Sequence, residues 1–448
     1  MPDRWGREIW HLSVAAFFAL VTEPLFLLAD TAIVGHLGTA QLAGLGIAVA
    51  ILGVIQSLCI FLAYGTTSAV AREIGAGRTS RALAQGVDGV WLAVGVGLLI
   101  TLVTEPLVPR IVGLFGPTPE VAGYAVTYLH VSLLGVVAML VMLAAVGVLR
   151  GVKDLRTPLV VAVTANLANI ALNLLLVYGV GGWNGLGIAG SALGSLIAQV
   201  AAATVLLVVL LRGVRRAGAP LAPDLTGIRR AGTAGVPLIV RTLALRAALL
   251  LMTWGATRFG SVDLAAMQLA LTIWSFLAFV LDAIGISAQT MVGTELGARR
   301  WTATRRLTGA LVRWGLALGV LTGLVLLACA TVLGRLFTDD PRVLHALAPA
   351  LLVAAIAQPV AGLVFVLDGV LIGAGDNRYL AAAQVVVLAV FAPVALWVVL
   401  GGHGLTWLWV AFAVAFMGGR AVVLGLRARG QAWLGAPRSA AGGSTLTG

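Results

Sequence analysis

Twelve stretches of about 20 predominantly apolar residues, each long enough to cross a hydrocarbon core, follow one another along this chain. They fall near residues 9–34, 43–66, 84–106, 123–147, 158–180, 187–211, 233–256, 265–290, 309–332, 346–370, 380–400 and 405–425. No water reaches the bilayer core to satisfy a backbone N–H or C=O, so a spanning segment must bond within itself or close into a barrel. These stretches are too long for barrel strands, which leaves the helix. The expected fold is all-α and polytopic, with twelve transmembrane helices. Composition agrees: 60% of the 448 residues are hydrophobic and 10% charged. Mean hydropathy is +1.05, outside soluble globular usage. The first stretch is too long and too interrupted by polar residues for a cleaved signal peptide, so it counts as a helix.

The chain also repeats itself. A shift of 222 positions carries Gly38, Leu42 and Ala43 onto Gly260, Leu264 and Ala265, and Glu73, Gly75, Ala76 and Arg78 onto Glu295, Gly297, Ala298 and Arg300. It also carries Gly147, Leu149, Gly151, Asp154 and Arg156 onto Gly369, Leu371, Gly373, Asp376 and Arg378. One constant offset over so long a stretch marks two copies of one unit. Six spans is an even number, so both copies enter the bilayer in the same direction, related by a pseudo-two-fold axis along the membrane normal. The expected organisation is an N-terminal six-helix lobe over 1–211, a cytoplasmic linker over 212–232 containing Gly218, Pro220 and Pro223, and a C-terminal six-helix lobe over 233–430. A tail rich in Ser, Gly and Ala over 431–448 is expected to be disordered in the cytoplasm. Two embedded repeats of this kind most often form a secondary transporter with its site between them; a duplicated scaffold is the plainer alternative.

Arginine sets the orientation. Of the 29 basic residues, 23 border spans on the side shared with the N-terminus, and only Arg110, Arg258, Arg335 and Arg342 lie in the opposite loops. The positive-inside rule then places both termini in the cytoplasm of a multi-pass inner (plasma) membrane protein. Arg outnumbers Lys 28 to 1, a usage that suggests a GC-rich bacterial genome. The net charge of +12 needs no nucleic-acid partner, because the basic residues border spans instead of forming one patch. The expected partners are a small-molecule substrate and membrane lipid, and the expected state is a monomer. Cys59 and Cys329 sit inside spans at unmatched positions, as packing residues rather than a disulfide or metal pair.

Chemistry must come from charge placed inside the membrane, where each charge is costly. The first span holds Glu23 and Asp30 with Pro24 between them. Seven residues is nearly two turns, so the carboxylates share one helix face, about 10 Å apart along the axis. Pro24 cannot donate to the carbonyl of Leu20 and should kink the helix there. No Lys or Arg occurs within the spans of this half, so an acid here must take up a proton or hold a cation. The plainer reading is that either acid caps a broken helix beside a water pocket. Span five carries Asn166, Asn169 and Asn173 on one face, and span six carries Ser191, Ser195 and Gln199 on one face. Their oxygens suit a hard monovalent cation and also hydrogen-bond a protonated carboxyl. Such residues equally serve as glue between membrane helices.

The second half places Arg241 and Arg246 in span seven, Asp282 in span eight and Asp368 near the inner end of span ten. Two bases and two acids are expected to neutralise one another as buried pairs. Gln268, Ser275, Asp282 and Gln289 form a polar stripe at seven-residue spacing, the kind that lines a water-filled cavity. The positions 222 earlier are Gly46, Gly53, Ile60 and Thr67, so the stripe is not inherited from the repeat. Cation coupling is therefore expected in the first half.

The segment Leu28-Ala29-Asp30-Thr31-Ala32-Ile33-Val34-Gly35-His36-Leu37-Gly38 resembles the first-span signature of the multidrug and toxic compound extrusion (MATE) family, in its DinF-like branch. So do Val70–Gly77, Leu149-Arg150-Gly151 through Asp154, and Leu281-Asp282-Ala283 through Gln289. The resemblance covers essentially the whole chain. It implies an exporter of bulky, often cationic or amphipathic compounds, driven by proton or sodium entry. It also implies a cation site in the first lobe built from Asp30, amide or acid positions at Asn169 and Asn173, and the hydroxyl of Ser191. Relatives with Asp at the position of Asn173 have one more negative charge; its absence here weakens sodium binding and favours protonation of Asp30.

The expected function is thus cation-coupled antiport by alternating access, with the proton as coupling ion ahead of sodium and no cofactor or bound metal. The chain has no nucleotide-binding Gly-rich loop and no metal-ligand cluster, which argues against an ATP-driven pump or an enzyme. A lipid-linked precursor or polysaccharide flippase is the alternative, but it should line its cavity with more unpaired bases than Arg241 and Arg246. A prenyl-processing membrane enzyme would need an Asp-rich metal motif, and Asp339-Asp340 is too short.

Overall fold

A computed structural model describes residues 2–435, apart from the side chains of residues 2–4 and of Glu23. Helices fill the described chain. The N-terminal half contains α1 (Pro2–Gly35), α2 (Thr39–Cys59), α3 (Phe61–Gly75), α4 (Thr79–Thr104), α5 (Val108–Gly113), α6 (Pro119–Leu133), α7 (Val136–Gly151), α8 (Arg156–Tyr178) and α9 (Ile188–Arg216). The C-terminal half contains α10 (Leu225–Phe259), α11 (Ser261–Gly297), α12 (Trp301–Phe337), α13 (Pro341–Ala374), α14 (Asn377–Leu400), α15 (Leu405–Ala411) and α16 (Gly419–Arg429). Eleven of the resulting segments are long and apolar enough to span a membrane. The twelfth is the pair α6 and α7, bent by 51° at Leu134-Gly135. The fourth span, expected over 123–147, is thus bent at this break.

Several helices start and stop where the sequence dictates. Pro119 and Pro341 occupy first-turn positions of α6 and α13, where a missing N–H costs nothing. The carboxylates of Asp224 and Asp340 accept the N–H groups of Thr226 and Arg342 at the starts of α10 and α13. The repeat is visible in the backbone. Gly77 and Arg299, 222 apart, both end a helix with positive φ (74° and 57°), as do Lys153 and Gly375 (66° and 78°).

Two bundles result, α1–α9 and α10–α16. Within each, glycines let backbones touch, as where Gly369 lies on the carbonyl of Gly285 and Gly373 on that of Gln289 between α13 and α11. The bundles meet along α1 against α11, and α10 against α3 and α4. Several hydrogen bonds that cross between them lie toward the end that carries most of the arginines. Ser13 pairs with Ser287 at 3.0 Å, Gln289 Nε2 donates to the Tyr64 carbonyl at 2.6 Å, and Arg72 Nη1 donates to the Gly373 carbonyl at 3.1 Å.

Much of the stretch 212–232 is helix, since α9 runs to Arg216 and α10 begins at Leu225. Of the expected disordered tail, residues 436–448 lie outside the described residues. The part before them is packed: a turn over Ala432–Leu434 buries Trp433 and Leu434. Cys59 is buried, Cys329 is half-buried, and both thiols are free.

Candidate functional site

Asp30 is the centre of the N-terminal site. Its carboxylate is 2% exposed and accepts three hydrogen bonds, all from neutral groups. Asn173 Nδ2 donates to Oδ1 at 2.8 Å, Ser191 Oγ donates to the same oxygen at 2.5 Å, and the Tyr128 hydroxyl donates to Oδ2 at 3.3 Å. The second amide hydrogen of Asn173 reaches Asn169 Oδ1 at 3.0 Å, and Asn169 Nδ2 donates in turn to Ser195 Oγ at 3.1 Å. Four spans thus converge on one carboxyl group.

Helical spacing places these groups. Asn169 and Asn173 are four apart on α8, and Ser191 and Ser195 are four apart on α9, so each pair shares a face. Gly194 lies between the two serines, and a Cβ there would overlap Asn173 Oδ1. The glycine lets α9 close onto the amide. That same amide oxygen is buried without a hydrogen-bond partner, so the ring of polar groups has spare acceptor capacity.

An ionised carboxyl fits this site because three donors face it. A protonated one fits as well, since the Tyr128 hydroxyl can turn and accept, and a rotated Asn173 amide presents its free oxygen. Among the described residues no basic side chain touches Asp30. Any compensating charge must therefore arrive from solution.

Other expected site residues fall elsewhere. Asn166 Nδ2 donates to the Thr22 carbonyl at 3.0 Å and ties α8 to α1 near Pro24, a turn and more from Asp30. Helix α1 passes through Pro24 without a break. Gln199 lies against Gly135, at the bend of the fourth span, and not in the Asp30 cluster. The side chain of Glu23 lies outside the described residues.

The C-terminal lobe corrects an expectation. Asp368, 5% exposed, accepts from Arg241 Nη2 at 2.6 Å and also from Arg420 Nη2, while Arg246 is exposed. The second base of the cluster is Arg420, not Arg246. It comes from the last span, just beyond a π-helical stretch over Phe412–Gly418. Among the described residues no arginine lies within ion-pair distance of Asp282; Tyr64 donates its hydroxyl to Asp282 Oδ2 at 3.4 Å from the opposite lobe. The polar stripe of α11 begins exposed at Gln268 and Ser275, is half-buried at Asp282 and ends buried at Gln289.

Sequence reasoning missed Tyr128, Tyr64 and the inward turn of Arg420. The available signal for Tyr128 is a pair of phenols, Tyr124 and Tyr128, one turn apart in a predominantly apolar span. Arg420 was counted among the flanking arginines because it sits near a span end, and only packing reveals which way it points.

The MatE family model matches residues 15–175 and again 237–398, starting positions that differ by the repeat offset. The chain is 31% identical to Protein DETOXIFICATION 44, chloroplastic, of Arabidopsis thaliana, over 85% of its own length and 74% of that protein's. It is 29% identical to DNA damage-inducible protein F of Escherichia coli (strain K12), over 91% and 89%. A crystal structure of a Vibrio cholerae MATE transporter in the bent form superposes with a TM-score of 0.85 at 22% identity, covering 95% of this chain and 97% of that one.

Proposed function

We propose that this chain, which belongs to the MATE family and is a multi-pass membrane transporter, is a proton-coupled exporter of bulky amphipathic or cationic compounds. The observation that carries the reading is the Asp30 site: a buried carboxyl group with three neutral donors and no fixed cation. Neutralising such a group is a strong free-energy lever inside a membrane. The neutralising ion then couples to whatever conformational change relieves or restores the hydrogen bonds.

The arginine-rich end is cytoplasmic by the positive-inside rule, in a bacterial plasma membrane with both termini inside. The hydrogen bonds between lobes toward that end support reading this conformation as outward-facing. Asp30 lies in the half of α1 remote from that closure. Proton uptake there removes the negative charge that holds Asn173, Ser191 and Tyr128 as donors. With those bonds loosened, α1 shifts on α8, substrate leaves outward, and the lobes rock to an inward-facing state in which Asp30 releases its proton. The polar stripe of α11, with Ser275 and Asp282, supplies a wet wall for the substrate path. Arg241 and Asp368, with Arg420, brace the second lobe from behind it.

A proton fits better than sodium. Sodium needs several oxygens and enough negative charge to offset dehydration, whereas here an amide N–H of Asn173 faces the carboxylate. Only one charged group is in place. The test is proton release from purified wild-type protein on substrate addition, compared with Asp30→Asn. The wild type should release protons and the variant, still folded because a neutral isostere costs less to bury, should not. Equal proton release from the two would overturn the role of Asp30.

A flippase for anionic lipid-linked substrates is less well supported. Such a protein needs unpaired bases in its cavity, and both buried arginines of the second lobe are taken up by Asp368.

A further inference from the structure

The two lobes treat one shared feature of the repeat differently. In the N-terminal lobe the cytoplasmic ends of α4, α7 and α9 surround an apolar groove of about 630 Å³ whose lining includes Leu83, Val148, Leu149, Val152, Val209 and Leu210. Arg212 and Arg216, one helical turn apart on α9, line it as well. Both are exposed, and among the described residues neither has an acidic partner.

The shift of 222 carries Val148 and Leu149 on α7, and Val152 just after it, onto Val370, Leu371 and Ala374 on α13, and the end of α9 onto the segment after α16. There the groove is filled by the chain itself. Trp433 and Leu434, 4% and 7% exposed, pack against α13 and α16. Trp433 Nε1 donates to the Ala428 carbonyl at 3.0 Å, and Arg305, which stands where Leu83 stands in the first lobe, donates to the Gly430 carbonyl at 3.1 Å. One copy of the groove is closed by an aromatic and an aliphatic side chain. The other stays apolar, open and rimmed by two unpaired arginines.

We propose that the groove between α4, α7 and α9 is a binding site for an anionic phospholipid of the cytoplasmic leaflet. An acyl chain takes the place that Trp433 and Leu434 take in the other lobe, and the phosphate is bound by Arg212 and Arg216. The depth is right, because these three helix ends lie at the cytoplasmic surface. The chemistry is right as well: guanidinium groups pair with phosphate, and basic pockets between helices on this face select anionic headgroups. The site is separate from Asp30, and the proposal takes from the functional reading only the orientation of the chain.

The test is native mass spectrometry of the whole protein, delipidated and then offered phosphatidylglycerol or phosphatidylcholine. The wild type should retain one phosphatidylglycerol in preference to phosphatidylcholine by on the order of tenfold or more, the size expected for two basic residues at an anionic surface. The double variant Arg212→Ala/Arg216→Ala should lose that preference. Val209→Trp, which fills the groove as Trp433 does in the other lobe, should reduce retention of both lipids at this site. Millimolar inorganic phosphate should leave the bound lipid in place. Absence of headgroup preference in the wild type, undiminished retention in both variants, or displacement by inorganic phosphate would each overturn the assignment.

Discussion

Gly75 lies against the main-chain carbonyl of Thr294 so closely that a Cβ on it would overlap the oxygen, and Gly297 lies in the same way against the carbonyl of Arg72. The repeat offset carries Gly75 onto Gly297 and Arg72 onto Thr294. One contact is thus made twice across the pseudo-two-fold axis, and together the two crossings join the lobes at the arginine-rich end. Nothing but hydrogen fits at either glycine while the lobes are joined there.

Replacing either glycine with valine should therefore prop the arginine-rich end open. Spin labels at Ser80 and Thr302, both exposed and 222 apart at the starts of α4 and α12, give the readout. Electron–electron distance distributions should shift to longer separations in Gly75→Val and further in the double variant with Gly297→Val. An unchanged distribution would mean that the lobes do not meet through these glycines.

The ion cluster of the second lobe makes a stability prediction. Asp368→Asn leaves Arg241 and Arg420 buried beside each other without an anion, a change that costs on the order of 3–5 kcal/mol. Arg246→Gln removes an exposed charge with no partner and should stay within about 0.5 kcal/mol of wild type. Thermal unfolding in detergent separates the two, and equal losses would mean that Arg246 contributes to the cluster after all.

Left-handed helix ends offer a smaller effect. Arg299 holds φ of 57° where its repeat partner is Gly77, and a non-glycine residue in that region costs about 1 kcal/mol. Arg299→Gly should raise the melting temperature slightly, and Gly77→Ala should lower it by a similar amount. A drop for Arg299→Gly would show that its exposed side chain contributes more than the backbone strain removes.

Converting Asn173→Asp tests the choice of ion. The amide donates to both Asp30 and Asn169, and a carboxylate can do neither. Two facing carboxylates would then need a cation or a shared proton. Sodium should leave transport by the wild type unchanged and stimulate transport by the variant. If the variant remains indifferent to sodium and keeps the wild-type pH profile, Asn173 does not set ion choice.

The helices, their number and the two-fold repeat were legible in the sequence because lipid leaves the backbone so few options. The association of Asp30 with Asn169, Asn173 and Ser191 was legible only through the resemblance to the family's first-span signature, since helical spacing alone puts Asn166 and Gln199 on the same faces. What spacing cannot give is which face meets which neighbour. Gln199 shares the face of Ser191 and Ser195 yet sits a turn further along, against the bend at Gly135. Arg246 and Arg420 exchanged roles for the same reason: charge balance requires a second base near Asp368, but packing chooses it. Tyr128 reaches Asp30 from α6, a meeting of neighbouring helices that the pattern within one apolar stretch does not announce.

The central claim is that a proton, taken up at Asp30, drives export. The most direct measurement is substrate transport by purified protein in proteoliposomes, under an imposed pH gradient without sodium and under an imposed sodium gradient at constant pH. Transport should follow the pH gradient, ignore sodium, and vanish in Asp30→Asn. Transport that requires sodium at constant pH, or that persists at wild-type rate in Asp30→Asn, would contradict the account.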